Sequence, residues 1–352
     1  MNVSVLCFPY YPSKDTGRGH DRYAHELVQN LAAKAGTRVR VVEQGFSKGA
    51  LNAAGKLLRL VRELAADRAD VYHAISPTGG AVAALLGKRP LVVTIHDLIP
   101  FQVSGFDASW KARVVRFCTL LCLRRSAALV VPYRVTREEL VRIHGGDPSK
   151  IFVVSYGVDH ETYFPRPELV RAESRVLYIG EVSCSKGVDV LIRAFAQVKR
   201  RVPAAVLVIG GKTSKDQPML EELARSLGVS AISFEGFVPE AELATHYCTA
   251  SVMVFPSRYG FGLSVLEAMA CGTPVVAAAA LDAPEFAEGT GILVPPDDPD
   301  ALAERIVSIL TEPKVRADFS AIGLEKARQY SWNQVAAGTR EVYVSVSERR
   351  AP

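Results

Sequence analysis

Short apolar runs alternate with stretches of helical periodicity from one end of this 352-residue chain to the other. VSVLCF, RVRVVE, DVYHAI, LVVTIHD and ALVVPY form a first set of runs, and RVLYIG, AVLVIGG, ISFEGF, SVMVFP, PVVAAA and GILVPP a second. Runs this short, rich in Val and apolar nearly throughout, suit strands that helices cover on both faces. Strands and helices taken in turn predict an α/β architecture of doubly wound parallel sheets. Between the two sets, SYGVDHETYFPRP at 155–167 carries a glycine, two prolines and no periodicity, so the hinge is placed there. The expected domains are residues 1–160 and 161–330, each a Rossmann-like unit.

Composition narrows the class. At 49% hydrophobic and 22% charged residues the chain reads as a soluble globular protein with enough length for two cores. No apolar stretch reaches the roughly 18 residues that span a bilayer, and MNVSVLCFPYYP runs into a strand without a basic leader. The expectation is a cytoplasmic protein, with peripheral contact at the inner membrane face left open. Cys7, Cys118, Cys122, Cys184, Cys248 and Cys271 make no CxxC pair and the histidines no HExxH, so reduced thiols and no metal site are expected. Charge is divided unevenly. Residues 1–165 hold 22 Lys and Arg against 14 Asp and Glu, a net +8, and the remainder 20 against 23, a net −3. The basic half should meet an anionic partner, either a phospholipid surface or a phosphorylated acceptor. Nucleic acid fits poorly, since no arginine-rich run or interleaved aromatic pattern occurs.

The densest motif is PSRYGFGLSVLEAMACGTPVV, Pro256 to Val276. A buried strand leads into a loop where Gly260 and Gly262 let backbone amides approach a ligand, and a helix begins near Leu263. The amino end of such a helix suits phosphate or an electron-rich hydroxyl. Its second turn carries one acid, Glu267.

This string resembles the signature of the retaining family 4 glycosyltransferases, nucleotide-sugar-dependent enzymes of the GT-B fold, whose two Rossmann-like domains face one another across a cleft. In that family two acids flank seven residues around GFG. The resemblance implies that Glu267 holds the ribose hydroxyls and that Gly260, Phe261, Gly262 and Leu263 line the donor. Tyr259 stands at the first acid, which touches the donor sugar, and Glu181 stands where an arginine commonly follows the strand glycine. Lys186, in SKG, looks like the diphosphate lysine. His96, in TIHD, resembles the histidine beside the donor sugar and is with Lys186 the catalytic candidate. Gly17, Arg18, Gly19 and His20 match a glycine-rich loop near donor sugar and acceptor, and Arg18, His20 and Arg22 suit an acceptor phosphate. The match extends to YGVD at Tyr156 to Asp159 and to GF at Gly236 and Phe237, near the family's base pocket. It implies that the last helix, about 331–352, packs back on the first domain.

From the residues alone, Lys186 also fits a solvated lysine, His96 a satisfied imidazole, Asp97 a local cap, and residues 17–20 a surface loop. SWKARVVRFCTLLCLRRS is a basic amphipathic segment, with Trp110, Phe117, Leu120 and Leu121 among its cations. It suits either an anionic membrane or packing on its own sheet. Asp297, Asp298 and Asp300 read as a helix start, with Asp298 as N-cap and Pro299 first in the helix, rather than as a metal cluster. Glu285 resembles the acid of the family's "PE" turn.

The implied activity is metal-independent transfer of a sugar, with retention, from a UDP- or GDP-linked donor to a hydroxyl acceptor. The acceptor would be a glycan, a glycolipid or a lipid-linked precursor, and no cofactor beyond the nucleotide sugar is expected. Lys186 and the GFG amides would stabilise the leaving diphosphate. Two rivals share the architecture: a nucleotide-sugar epimerase, and a catalytically degenerate nucleotide-binding homologue motivated by Glu181 and Tyr259.

Overall fold

A computed structural model describes residues 1–8, 19–34, 36–42, 50–102, 110–258, 262–279, 284–287, 290 and 292–349. The chain divides into two compact units, Met1–Tyr156 with Trp332–Pro352, and Gly157–Ser331.

In the first unit β1 (Asn2–Leu6), β2 (Arg38–Val42), β3 (Val71–Ala74), β4 (Leu91–Thr94), β5 (Ala128–Val131) and β6 (Ile151–Val153) form a parallel sheet in the order β2-β1-β3-β4-β5-β6. Its helices are α1 (Gly19–Ala32), α2 (Ala50–Ala66), α3 (Pro77–Leu85), α4 (Ile99–Gln102), α5 (Trp110–Arg125) and α6 (Arg134–Arg142). The second unit holds β7 (Arg175–Ile179), β8 (Val206–Gly210), β9 (Ile232–Gly236), β10 (Val252–Phe255), β11 (Val275–Ala278) and β12 (Leu293–Val294), in the order β12-β11-β10-β7-β8-β9. Its helices are α7 (Val188–Arg201), α8 (Gln217–Ser226), α9 (Glu240–Thr249), α10 (Leu263–Ala270), α11 (Pro284–Ala287), α12 (Pro299–Thr311) and α13 (Pro313–Ala327). The last helix, α14 (Trp332–Glu348), belongs to the first unit and packs on α1.

Every run read from the sequence as a strand contains one, and β6 adds another that the reading passed over. Burial explains the continuous apolar runs: β3, β4, β5, β10 and β11 are buried at every residue. Edge strand β2 differs, because Arg38 and Arg40 alternate with apolar residues, and Arg40 reaches Asp67 Oδ1 at 2.8 Å. Helix α7 buries Val188, Leu191, Ile192, Phe195 and Val198 at helical spacing. Truncating a buried aromatic such as Phe195 to Ala removes about 3–5 kcal/mol.

Strand order reverses between β1 and β3 in one sheet and between β7 and β10 in the other. At such a point the crossovers leave on opposite faces and open a crevice beyond the carboxyl ends of the strands. That topology sets where each unit can hold a ligand.

Helix α5 buries its small side chains. Its buried residues are Ala112, Cys118, Thr119 and Cys122, while Trp110 and Phe117 are 70% and 64% exposed. The cause is close packing on α3, where a β-carbon on Gly80 would lie 2.8 Å from Cys122 Sγ. Small side chains therefore face α3, and the large ones are left outside. All six cysteines are free thiols, and only Cys184 is not buried.

Candidate active site

The crevice of the second unit is built from the segments after β7 and β10. Beyond Ile179 the chain passes through Gly180 into a single 3-10 turn, Cys184–Lys186, which sets Lys186 just ahead of α7. Gly187 follows at φ 70°, and a β-carbon there would lie 2.1 Å from the Pro256 carbonyl oxygen. Only glycine lets this turn close on the segment after β10. Arg258 then ties the two segments together. Its guanidinium bonds the Cys184 carbonyl, lies 3.3 and 3.4 Å from the two Asp189 carboxylate oxygens, and pairs with Asp297 at 2.6 Å. Asp297 holds a left-handed φ of 58°, an uncommon state for a residue other than glycine.

Helix α10 opens at Leu263 behind Gly262, and α7 opens behind Gly187. Two helix amino ends and the Lys186 turn therefore gather at the β7–β10 reversal, the place in this sheet best suited to a diphosphate. Glu267, in the second turn of α10, is 3% exposed, and its Oε2 accepts the Tyr247 hydroxyl at 2.8 Å. Glu181 has an exposed side chain, and its backbone carbonyl takes the hydroxyl of Tyr178 at 2.8 Å. Glu285 lies half-buried in α11, and Phe237, beyond β9, is 48% exposed. Asp298 caps α12 by accepting from the Asp300 and Ala301 amides at 3.0 and 2.9 Å. Tyr259, Gly260 and Phe261 lie outside the described residues.

In the first unit His96 follows β4 at its carboxyl end and is 4% exposed. Its Nε2 lies 3.0 Å from the Ile75 carbonyl, which can only accept, so Nε2 carries the hydrogen. Nδ1 then accepts from the Tyr156 hydroxyl at 2.9 Å. Both nitrogens are engaged, and burial lowers the pKa to about 3. His96 is a neutral, fixed ring at neutral pH. Gly19 and His20 open α1, and the His20 ring meets His96 edge-on at 4.6 Å between centroids. Gly17 and Arg18 lie outside the described residues. Below His96, His73 Nδ1 bonds Tyr343 at 2.7 Å and Nε2 bonds Thr94 at 2.8 Å, and burial lowers its pKa to about 3 as well. Asp97 accepts from the Ile99 amide at 3.1 Å, a local cap.

Several residues of these crevices escaped the sequence. Tyr156 and Tyr247 lie 60 and 20 residues from the side chains they hold, too far for any periodic signal. Asp21, buried in the first turn of α1, was not singled out. Arg258 stood inside the motif string, but nothing local pointed to Asp189 or Asp297.

A sequence profile for a glycosyl transferase 4-like domain matches residues 1–157, and one for glycosyl transferases group 1 matches residues 173–312. The D-inositol 3-phosphate glycosyltransferase of Kineococcus radiotolerans is 35% identical over 318 residues, covering 80% of this chain and 73% of that protein. The enzyme of the same name from Kribbella flavida is 37% identical over 307 residues, covering 80% and 72%. Among solved structures, sucrose-phosphate synthase from Thermosynechococcus elongatus superposes with a TM-score of 0.84 at 23% identity, over 99% of both chains. HepE from Anabaena, in complex with UDP and glucose, gives 0.80 at 20% identity over 98% and 100%. The last two carry the fold alone, which is that of the GT-B glycosyltransferases. Sequence kinship over most of its length makes the chain a member of the group 1 glycosyltransferases, a hexosyltransferase that moves a sugar onto a hydroxyl acceptor.

Proposed function

We propose that the chain transfers a sugar, with retention, from a UDP-linked donor to a hydroxyl of a small phosphorylated polyol. One observation carries the donor half of this reading: Lys186, the amino ends of α7 and α10, and buried Glu267 all belong to the β7–β10 reversal. As the glycosidic bond breaks, the diphosphate gains negative charge, which Lys186 and the two helix ends stabilise through groups already in place. Glu267 takes the ribose hydroxyls. The acceptor hydroxyl attacks from the face the diphosphate leaves, and its proton passes to a diphosphate oxygen. His96 is a neutral ring that moves no proton in this reading, because both of its nitrogens are bonded. UDP is favoured by the ligand named for HepE, and a phosphorylated polyol by the names of the relatives. Tyr259 and Glu181 alter the sugar end, so the sugar is to be found by screening donors.

The test is UDP release across a panel of UDP-sugars with an inositol phosphate as acceptor. Lys186→Ala and Glu267→Ala should each lose most transfer. Lys186→Ala should keep the wild-type unfolding midpoint, whereas Glu267→Ala, which leaves the buried Tyr247 hydroxyl without its acceptor, should lower it while the chain still folds. Wild-type turnover in both overturns the assignment, and release without an acceptor-linked product points to an epimerase.

A second reading concerns where the acceptor lies. Trp110, Val114 and Phe117 are exposed along one side of α5, beside exposed Lys111 and Arg113. This is the surface of a helix that lies on an anionic membrane. Trp110→Ser/Phe117→Ser should weaken flotation with anionic vesicles, and unchanged flotation removes the reading.

A further inference from the structure

Charge divides between the units more sharply than between the halves of the sequence. Met1–Tyr156 with Trp332–Pro352 holds 25 Lys and Arg against 14 Asp and Glu, a net +11. Gly157–Ser331 holds 17 against 23, a net −6. Five of the first unit's cations gather where β4, β5 and β6 begin, the end of the sheet opposite His96. A cleft of about 480 Å³ there is lined by Arg89, Arg124, Arg125, Lys150 and Arg349, and none of its described lining residues is acidic.

These side chains come from separate parts of the chain. Arg89 precedes β4, Arg124 and Arg125 end α5, Lys150 precedes β6, and Arg349 follows α14. The four arginines are exposed and Lys150 is half-buried. Asp147 is the acid that feels both Lys150 and Arg349. Its Oδ1 caps the turn Pro148–Lys150, accepting from the Ser149 amide at 2.9 Å and hydroxyl at 2.8 Å.

Two helices, α5 and α14, end beside the cleft. Each carbonyl end carries roughly half a negative charge, so the two ends and the Asp147 carboxylate together offset about two of the positive charges of Arg124, Arg125, Lys150 and Arg349. The remainder repel one another, at about 1 kcal/mol for a pair 4 Å apart in water, and an anion would relieve that repulsion. Guanidinium forks match phosphate oxygens in shape and charge. A cleft of this size lies in the range, about 300–1,000 Å³, that takes small molecules. We propose that it binds a phosphate-bearing anion, a phosphomonoester or diphosphate, at a site separate from the crevices at the carboxyl ends of the sheets. Strand β4 alone, four residues long, sets roughly 13 Å between Arg89 and His96.

The test is calorimetric titration of the full chain with pyrophosphate at low salt, paired with flotation on phosphatidylglycerol vesicles. Arg125→Gln/Arg349→Gln should weaken binding at least tenfold. Arg62→Gln/Arg68→Gln, which removes the same charge from exposed positions elsewhere in the same unit, should change it less than threefold. A Lys186→Ala background should keep the site, which separates it from the donor crevice, and added salt should weaken it. Loss of pyrophosphate binding names a soluble ligand, and loss of vesicle binding alone names a lipid headgroup. Lys150→Gln provides an independent variant should the double substitution disturb folding. Equal effects of the two double variants on both probes, or no wild-type binding to either, would overturn the proposal.

Discussion

The Tyr247 hydroxyl donates to Glu267 Oε2 over 2.8 Å, with Tyr247 fully buried and Glu267 3% exposed. A buried carboxylate that loses a donor bears the desolvation penalty of the oxygen left behind, about 1–3 kcal/mol. Tyr247→Phe should therefore lower the unfolding free energy by that amount, read as a lower urea midpoint with an unchanged m value. Because the same bond fixes the carboxylate proposed for the ribose, KM for the nucleotide sugar should rise several-fold while kcat changes less. A stability loss with KM unchanged would make the pair structural only.

Buried histidines make stability depend on pH in a defined direction. His96 and His73 have folded pKa values lowered to about 3 by burial, against 6.5 for an exposed ring. Between those values the unfolded chain binds protons that the folded chain does not, so stability rises with pH. It should be flat above about pH 7 and fall from pH 6.5 towards 3, at about 1.4 kcal/mol per pH unit for each histidine. His144 and His246, also lowered by burial, act in the same direction. Urea unfolding between pH 5 and 8 checks this, in a window where ordinary carboxylates stay ionised. His96→Asn should make the slope shallower.

What the sequence disclosed depended on range. Strand runs such as VMVF and VVAA were legible because both faces of each strand are buried, so every residue is apolar. Lys186 and Glu267 were singled out by the resemblance of SKG and of the GFG string to a family signature, not by periodicity. Partnerships across the fold were not: Arg258 meets Asp189 and Asp297, 69 and 39 residues away, and His96 meets Tyr156. The buried face of helix α5 was not legible because apolar residues surround it, and it was decided by Gly80 on a neighbouring helix.

Gly187 and Gly228 separate backbone strain from steric exclusion. Both are left-handed, at φ 70° and 69°, but a β-carbon on Gly228 meets nothing within 4 Å, whereas on Gly187 it meets the Pro256 carbonyl. Gly228→Ala should cost about 1–2 kcal/mol, the left-handed penalty alone. Gly187→Ala should cost more and should also weaken nucleotide binding, because the Lys186 turn must move off Pro256. Equal losses from the two in thermal unfolding would show that the contact is not tight.

Arg258 offers the last discrimination, between a residue that holds the fold and one that holds the phosphate cradle. Its side chain is 26% exposed, and its partners Asp189 and Asp297 are 24% and 56% exposed. Ion pairs this wet contribute roughly 1 kcal/mol or less to stability. The bond to the Cys184 carbonyl is different in kind, since it links the residue before Tyr259 to the turn that carries Lys186. Arg258→Met keeps much of the aliphatic stem and removes every donor. It should therefore lower the unfolding free energy little, by about 1 kcal/mol or less, while raising KM for the nucleotide sugar several-fold through a loosened Lys186 turn. Combining it with Lys186→Ala should produce no additive loss in kcat/KM, because a positioning residue has nothing left to position. Full additivity would mean that Arg258 acts on the donor independently of the lysine.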